Sequence, residues 1–527
     1  MSMILTDSQV LGGSSAINAM TAMYPSHKIY DIWAELGNPG WDAAGMTPYI
    51  QKFQTFRRPE PMVAKNLSLN DYMDYSLYGT DGPMQTSISS WNLPMTKIWA
   101  ETWKSLKLLS NRDPITGKST GSYTTPSYID PKTARRSHAG AAYWEPASER
   151  PNLTLTTGVM VEKVILEKSS TGSIVATGVQ YRSDGQNQSQ IVHAEKEVIL
   201  SAGSFNSPAL LELSGIGDDS LLKSLGIKTI ISNPNVGENF QDQPATWVQF
   251  DAHDEQSLDS MKDPKKAEQA MQDYYERKTG PLSTIFNAAG VFPIVKLIND
   301  EDQKILRKLV TEYRSNGCET LSKAQQIQRN HVLSIMLDSE DSTCMLSGVG
   351  VGLAALIGGS ANSTSSQVSI NAALLHPLSR GSSHIQSTDP RQSPKIDPKY
   401  LSHPLDIEIF ARHILHIKTL MQAQPLISVT VPGGKMFPSK LDNLEDAKAW
   451  VKESSITQYH PSGTCAMMPK DMGGVVSDRL VVHGTENLRV VDASIFPIIQ
   501  KGPFVSSVYA VAEKAADLIK LDLGMSS

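Results

Sequence analysis

Cysteine is nearly absent from this chain: 527 residues contain three, Cys318, Cys344 and Cys465. That number cannot build a disulfide scaffold, and no two of them share a CxxC spacing. Cys318 and Cys344 could pair in an oxidising compartment, or all three could be structural thiols. Long apolar runs are also missing. Residues 349–357 are the best candidate, yet they fall well short of the roughly 18 residues that cross a bilayer and carry two glycines. The first ten residues include Thr6, Asp7, Ser8 and Gln9, so they lack the apolar core of a signal peptide. No charge of one sign dominates. Forty-eight Lys+Arg stand against 54 Asp+Glu, interspersed, for a net charge of −6. No basic face for nucleic acid or an anionic membrane is advertised. HExxH, GxSxG and paired Cys/His metal patterns do not occur, and His413 with His416 make a poor metal site without a carboxylate at matching spacing.

What is present describes a folded globular protein. Hydrophobic residues make up 40% and charged residues 19%, with 36 Gly and 30 Pro spread along the chain, which excludes disorder, collagen and coiled coil. At roughly 150 residues per domain, the length suits about three to four domain-sized units or two larger interleaved ones. Alternating apolar patterns predict strands at 153–156, 159–166, 174–182, 197–201 and 488–491. Ser207 as N-cap and Pro208 at the first position predict a helix closed by Gly215. Further helices are predicted at 265–278, 404–422 and 506–521, with antiparallel strands around 377–381. Strand–helix blocks interrupted by blocks of another kind predict a discontinuous α/β domain with a second domain inserted into it. Sequons at Asn66, Asn152, Asn187 and Asn362 would permit glycosylation and leave the compartment open.

Four motifs bear on chemistry. Gly350-Val351-Gly352-Leu353-Ala354-Ala355 matches G-x-G-x-x-A in form, but no acidic residue follows about 20 positions on, so it reads as a decoy. Gly12-Gly13-Ser14-Ser15 before Ala16-Ile17-Asn18 would let a backbone approach a flat ligand, with hydroxyls and an amide at hand; taken alone it is more often a helix-capping turn. Ser201-Ala202-Gly203-Ser204 ends an apolar strand before a helix, where α/β sheets meet their ligands, or is an ordinary turn. His460-Pro461-Ser462-Gly463-Thr464-Cys465 sets a histidine in a loop of small and polar residues, as a base or as one of several structural histidines.

Taken in order, these segments resemble the glucose-methanol-choline (GMC) family of flavin oxidoreductases over nearly the whole chain. Residues 10–20, then Tyr30-Asp31-Ile32-Trp33 and Leu36 to Trp41, are similar to the family's flavin loop and its continuation. Gly203 to Pro208 through Ser214-Gly215-Ile216-Gly217, and Asn235 to Asp242, resemble the stretches that follow. So do His376-Pro377 with Ser379-Arg380-Gly381, Asp397 to Leu401, and the ending with His460 to Cys465, Leu488 to Ser494 and Tyr509 to Lys514.

The resemblance implies a discontinuous, Rossmann-like FAD-binding domain at 1–45, 150–245 and 456–527. A lid and a substrate domain with an antiparallel sheet would occupy 46–149 and 246–455. The family pattern opens with a βαβ unit carrying G-x-G-x-x-G, whereas this chain starts at the later loop, so the expectation is an FAD domain lacking that first unit. The implied reaction oxidises an alcohol by hydride transfer to FAD, in secondary-metabolite biosynthesis, on a small or polyketide-derived substrate. His460 falls at the position of the base. Ser14, Asn18, Ala19, Met20 and Thr21 would line the flavin, and Val161 would hold the adenine edge. Ala202, Asp492 and Ala493 would lie near the pyrophosphate or ring, with Phe504 and Val505 completing the set. The second catalytic position, usually His or Asn, falls on Pro503, which has no side-chain donor. A non-redox cyclase or dehydratase on the same scaffold, or a flavin-free remnant, are the alternatives.

Overall fold

Two short strands from opposite halves of the chain, Val198–Leu200 and Leu488–Val490, lie side by side and parallel. Val198, Leu200, Leu488 and Val490 are buried, while Ile199 points outward. The structure is a computed structural model and describes residues 10–285, 287–315, 321–353, 356 and 365–525. Among them, a three-stranded antiparallel sheet, Val159–Lys168, Ile174–Ser183 and Gln190–His193, stands near the parallel pair. The helix Gly203–Leu213 packs on that sheet, and the Val164 N–H donates to Ser214 Oγ at 2.8 Å.

That helix corrects the sequence expectation. It begins at Gly203, not at Ser207, because its first turn is capped from far away in the chain. The Gly203 N–H donates to Asp492 Oδ2 at 2.9 Å, and Ser207 Oγ donates to the same oxygen at 2.5 Å. Pro208 therefore sits inside the helix, where it cannot donate to the Ser204 carbonyl one turn back. Thr464 Oγ1 donates to that carbonyl instead, at 2.7 Å. Residues 153–156 form no strand; Leu153 and Leu155 are exposed and unpaired in the sheets.

A seven-stranded sheet forms the other large body. In order, Met436–Phe437, Pro244–Asp251, Gln367–Leu374, Cys344–Val349, Ala288–Phe292 and Gly121–Thr124 pair antiparallel, and Ile456–Thr457 joins the end of Pro244–Asp251. Its central strands are buried along their length, and the helices Pro94–Ser105 and Pro404–Met421 pack on it. The expected pairing around 377–381 does not occur. Gln367–Leu374 pairs with the central strands, and Ser382–His384 pairs instead with Lys395–Asp397. The predicted helix at 265–278 is α-helical only over Pro264–Gln272 and continues as a π-turn at Asp273–Arg277. Gly350 and Gly352 lie in a bend after a strand rather than at the start of a helix, and the rest of that pattern, Ala354 and Ala355, lies outside the described residues. Cys344 is buried within the sheet, and Cys318 is also outside the described residues.

Aromatic residues lock the two ends of the chain together. Trp33 Nε1 donates to the Ile498 carbonyl at 2.9 Å, and Trp41 Nε1 to the Asp478 carbonyl at 2.8 Å. Asn38, fully buried, donates to Trp33 and Met467 carbonyls, both at 2.9 Å. The C-terminal helix Val505–Asp522 packs on Ala43–Lys52. This packing delivers the segment 502–506 to the loop that carries Asn18.

Candidate active site

His460 is held at both ends. Its backbone N–H donates to Asp242 Oδ1 at 3.0 Å, and its ring Nδ1 lies 2.7 Å from Gln243 Oε1. Asp242 also accepts from Thr457 Oγ1 at 2.5 Å and from the Tyr400 hydroxyl, so one buried carboxylate gathers the loop before the histidine. Tyr459 takes a left-handed φ of 63°, which turns the chain sharply into His460. The imidazole stacks obliquely on Phe504, with ring centroids 5.1 Å apart. Burial pushes its pKa down to about 3. The ring is neutral at pH 7, and Nε2 has no hydrogen-bond partner among the described residues.

The loop after His460 is tied to the parallel strands. Ser204 Oγ donates to the Pro461 carbonyl at 2.8 Å, and the Gly463 N–H to the Ala493 carbonyl at 3.2 Å. A side chain at Gly463 would come within 2.6 Å of the Asn239 carbonyl oxygen, so glycine is required there. Ala202, Asp492 and Ala493 are thereby brought to the base of the His460 loop. The Asp492 carboxylate is fully engaged: Oδ2 accepts from Gly203 and Ser207, and Oδ1 accepts from the Ser494 N–H at 2.8 Å and its hydroxyl at 2.5 Å. The Ala202 N–H is taken by Ser207 Oγ at 3.1 Å.

Asn18 sits on a second loop. Its Oδ1 accepts from Arg136 Nη1 at 2.8 Å and from the Met20 N–H at 2.9 Å, leaving its amide N–H groups outward. Met20 takes a left-handed φ of 58°. Ser14 and Ala19 are exposed, while Met20 and Thr21 are half-buried. Tyr128 couples this loop to the chain end. Its N–H donates to the Met20 carbonyl at 2.7 Å, and its hydroxyl donates to Ser506 Oγ at 2.7 Å, which donates in turn to the Met23 carbonyl. Gly502 and Ser506 therefore stand beside Met23, while Phe504 between them packs against His460. Val161 is apart from this group. It pairs with Tyr181 at a bulge in the three-stranded sheet.

A cavity of about 220 Å³ opens beside Ala19 and Met20, walled mainly by Leu93, Met95, Leu258, Ile285 and Ala288. Among the described residues no charged side chain lines it, and His460 is not among its walls.

A GMC oxidoreductase model matches residues 1–245, and a second GMC oxidoreductase model matches residues 377–512. The chain belongs to the GMC oxidoreductase family. It is 34% identical over 522 residues to the GMC oxidoreductase family protein Mala s 12 of Malassezia sympodialis, covering 97% of this chain and 79% of that one. Dehydrogenase citC of Monascus ruber is 32% identical over 538 residues, covering 98% of this chain and 84% of the relative. Among solved structures, an FAD-dependent oxidoreductase from Chaetomium thermophilum superposes with a TM-score of 0.88 at 30% identity, covering 99% of this chain and 88% of that one. The fold is accordingly the mixed α/β GMC fold, with an FAD-binding domain and an antiparallel-sheet substrate domain.

Family and structural neighbour imply FAD. The Asn18 loop fits such a group. Leu11 and Ile17 are exposed at 41% and 60%, beside the Ser14 hydroxyl and the outward Asn18 amide. Space is open where a Gly13 side chain would be. Apolar surface with a polar edge suits a flat heteroaromatic ring. Ala202 and Gly203 offer less, because their N–H groups are bonded within the protein and the Asp492 carboxylate occupies the helix start where a phosphate would otherwise be favoured.

Three residues of this site escaped sequence reasoning: Arg136, Asp242 and Gln243. Asp242 ends the stretch Asn235 to Asp242, and Gln243 directly follows it. Arg136 carried no signal at all, since it meets Asn18 only through the fold.

Proposed function

We propose that this chain is an FAD-dependent dehydrogenase or oxidase of a CH–OH group in fungal secondary-metabolite biosynthesis, acting on a small or polyketide-derived alcohol. FAD, when bound, supplies the hydride acceptor. The observation that carries the reading is the state of His460: a neutral imidazole with Nδ1 bonded to Gln243 and Nε2 left without a protein partner. Nε2 takes the substrate hydroxyl proton, the help an ordinary alcohol needs to release hydride. Asn18, Ser14 and the backbone of Ala19 to Thr21 hold the ring, with Ala493, Phe504 and Val505 at its other side and Val161 toward the adenine. The uncharged cavity beside Met20 receives an apolar substrate body. In this reading 1–45, 150–245 and 456–527 form the FAD-binding domain, and 46–149 with 246–455 the lid and substrate domain.

Pro503 favours a second reading, a non-redox cyclase or dehydratase, because it gives no hydrogen bond to an oxygen gaining negative charge. Such chemistry asks His460 to act as an acid as well as a base, whereas oxidation asks it only to accept the hydroxyl proton. Product mass separates the two: oxidation removes two hydrogens from the alcohol, while cyclisation conserves mass and dehydration removes water. A mass-conserved or dehydrated product from the FAD-loaded protein would defeat the oxidative reading.

A further inference from the structure

Gln243 is fully buried and uses every polar atom of its side chain. Nε2 donates to the Leu375 carbonyl and to the Gln500 carbonyl, both at 2.9 Å, so both amide hydrogens are committed. Oε1 lies 2.7 Å from His460 Nδ1. Turning the amide over would set its oxygen against two carbonyl oxygens and forfeit both bonds, so its orientation is determined by the backbone around it. An amide oxygen can only accept. The hydrogen between the two side chains must therefore belong to Nδ1. A neutral imidazole has one N–H, so its remaining nitrogen, Nε2, carries the lone pair.

We propose that Gln243 is a positioning residue that fixes His460 in the Nδ1–H tautomer and so leaves Nε2 as a base. The inference rests on the reading of His460 as proton acceptor and explains how that role is enforced. Asp242 and Gln243 divide the task. Asp242 Oδ1 accepts the backbone N–H groups of His460 and of Gln243, at 3.0 and 2.7 Å, and sets where the loop runs. Gln243 sets the ring. Imidazole in water favours the hydrogen on Nε2, the arrangement that would block proton abstraction there. Being uncharged, the amide stabilises an imidazolium less than a carboxylate at the same place would.

The test is a long-range ¹H–¹⁵N correlation spectrum of the full chain with FAD, labelled with ¹⁵N-histidine, at pH 7, His460 being assigned by its loss in His460→Gln. The expected signature is a protonated Nδ1 with a bare Nε2. A protonated Nε2, or two nitrogens averaged by exchange, would overturn the proposal on the unaltered protein. In Gln243→Leu, the tautomers are expected to mix and kcat to fall by roughly a hundredfold, the scale of a misplaced reacting group, with KM nearly unchanged. An unaltered tautomer in that variant would show that Gln243 does not set it. If the spectrum is as expected and no alcohol is oxidised, Gln243 keeps its role and the assigned reaction fails.

Discussion

Arg136 and Asn18 are joined by a 2.8 Å hydrogen bond from Nη1 to Oδ1, and the same nitrogen reaches the Ser15 carbonyl at 3.3 Å. The guanidinium thus holds the amide oxygen inward and turns the amide N–H groups toward the ligand side of the loop.

Arg136→Leu should release that amide. That bond from a charged donor is already made without FAD and contributes about 1.5–3 kcal/mol, so the apoprotein should lose thermal stability, and the loosened amide should weaken FAD binding by roughly tenfold, about 1.4 kcal/mol. Titration of the apoprotein with FAD, followed by flavin fluorescence, measures this. Equal affinity in both proteins would remove Arg136 from the account.

Asp492 joins the helix Gly203–Leu213 to the segment after Leu488–Val490 through four accepted hydrogen bonds. Asp492→Ala strands the N–H groups of Gly203 and Ser494 and the hydroxyls of Ser207 and Ser494. The loss should reach about 3 kcal/mol or more, given about 1–3 kcal/mol for each unsatisfied group. Chemical denaturation should show a lower midpoint with an unchanged slope. A loss under about 0.5 kcal/mol, the range of ordinary surface changes, would contradict it.

Stability should depend on pH through His384. Hydrogen bonds to Glu212 at 2.7 Å and Glu238 at 3.1 Å raise its pKa to about 9. Because the folded value exceeds the unfolded value of about 6.5, the charged pair contributes fully below pH 6.5. Its contribution is lost as pH rises through 9. His384→Gln should therefore be less stable than the parent at pH 6 and should close that gap by pH 10. A gap independent of pH would contradict the assignment.

Pro503 marks a donor-free position one residue before Phe504, whose ring packs against His460. Pro503→Asn supplies an amide donor there, and the rate of alcohol oxidation should rise, by up to about a hundredfold if the donor reaches the substrate oxygen. Steady-state kinetics on one accepted alcohol decide it. An unchanged rate would mean that the substrate oxygen does not approach residue 503.

Much of this architecture is legible in residue order. The apolar periods at 159–166, 174–182 and 506–521 correspond to the strands Val159–Lys168 and Ile174–Ser183 and the helix Val505–Asp522. The segments around Ala202, Asp492 and His460 adjoin one another, and Tyr128 and Ser506 link the Asn18 loop to the segment that carries Phe504. Pairing partners are less legible, because Gln367–Leu374 has the alternation of a strand wherever its neighbours come from. The start of the Gly203 helix is misread at Ser207 because its cap, Asp492, arrives from the other end of the chain. Gln243 is silent for a related reason: its meaning lies in two backbone carbonyls, of Leu375 and Gln500, that no local pattern announces.

The central claim is that His460 removes the hydroxyl proton while hydride leaves the alcohol carbon. The most direct measurement mixes FAD-loaded protein with alcohol in the absence of oxygen and follows flavin absorbance near 450 nm by stopped flow. The account predicts rapid bleaching that slows when the carbinol hydrogen is replaced by deuterium, and a drop of about 10²–10⁴ in His460→Ala with FAD still bound. Bleaching at the parental rate in that variant would contradict it.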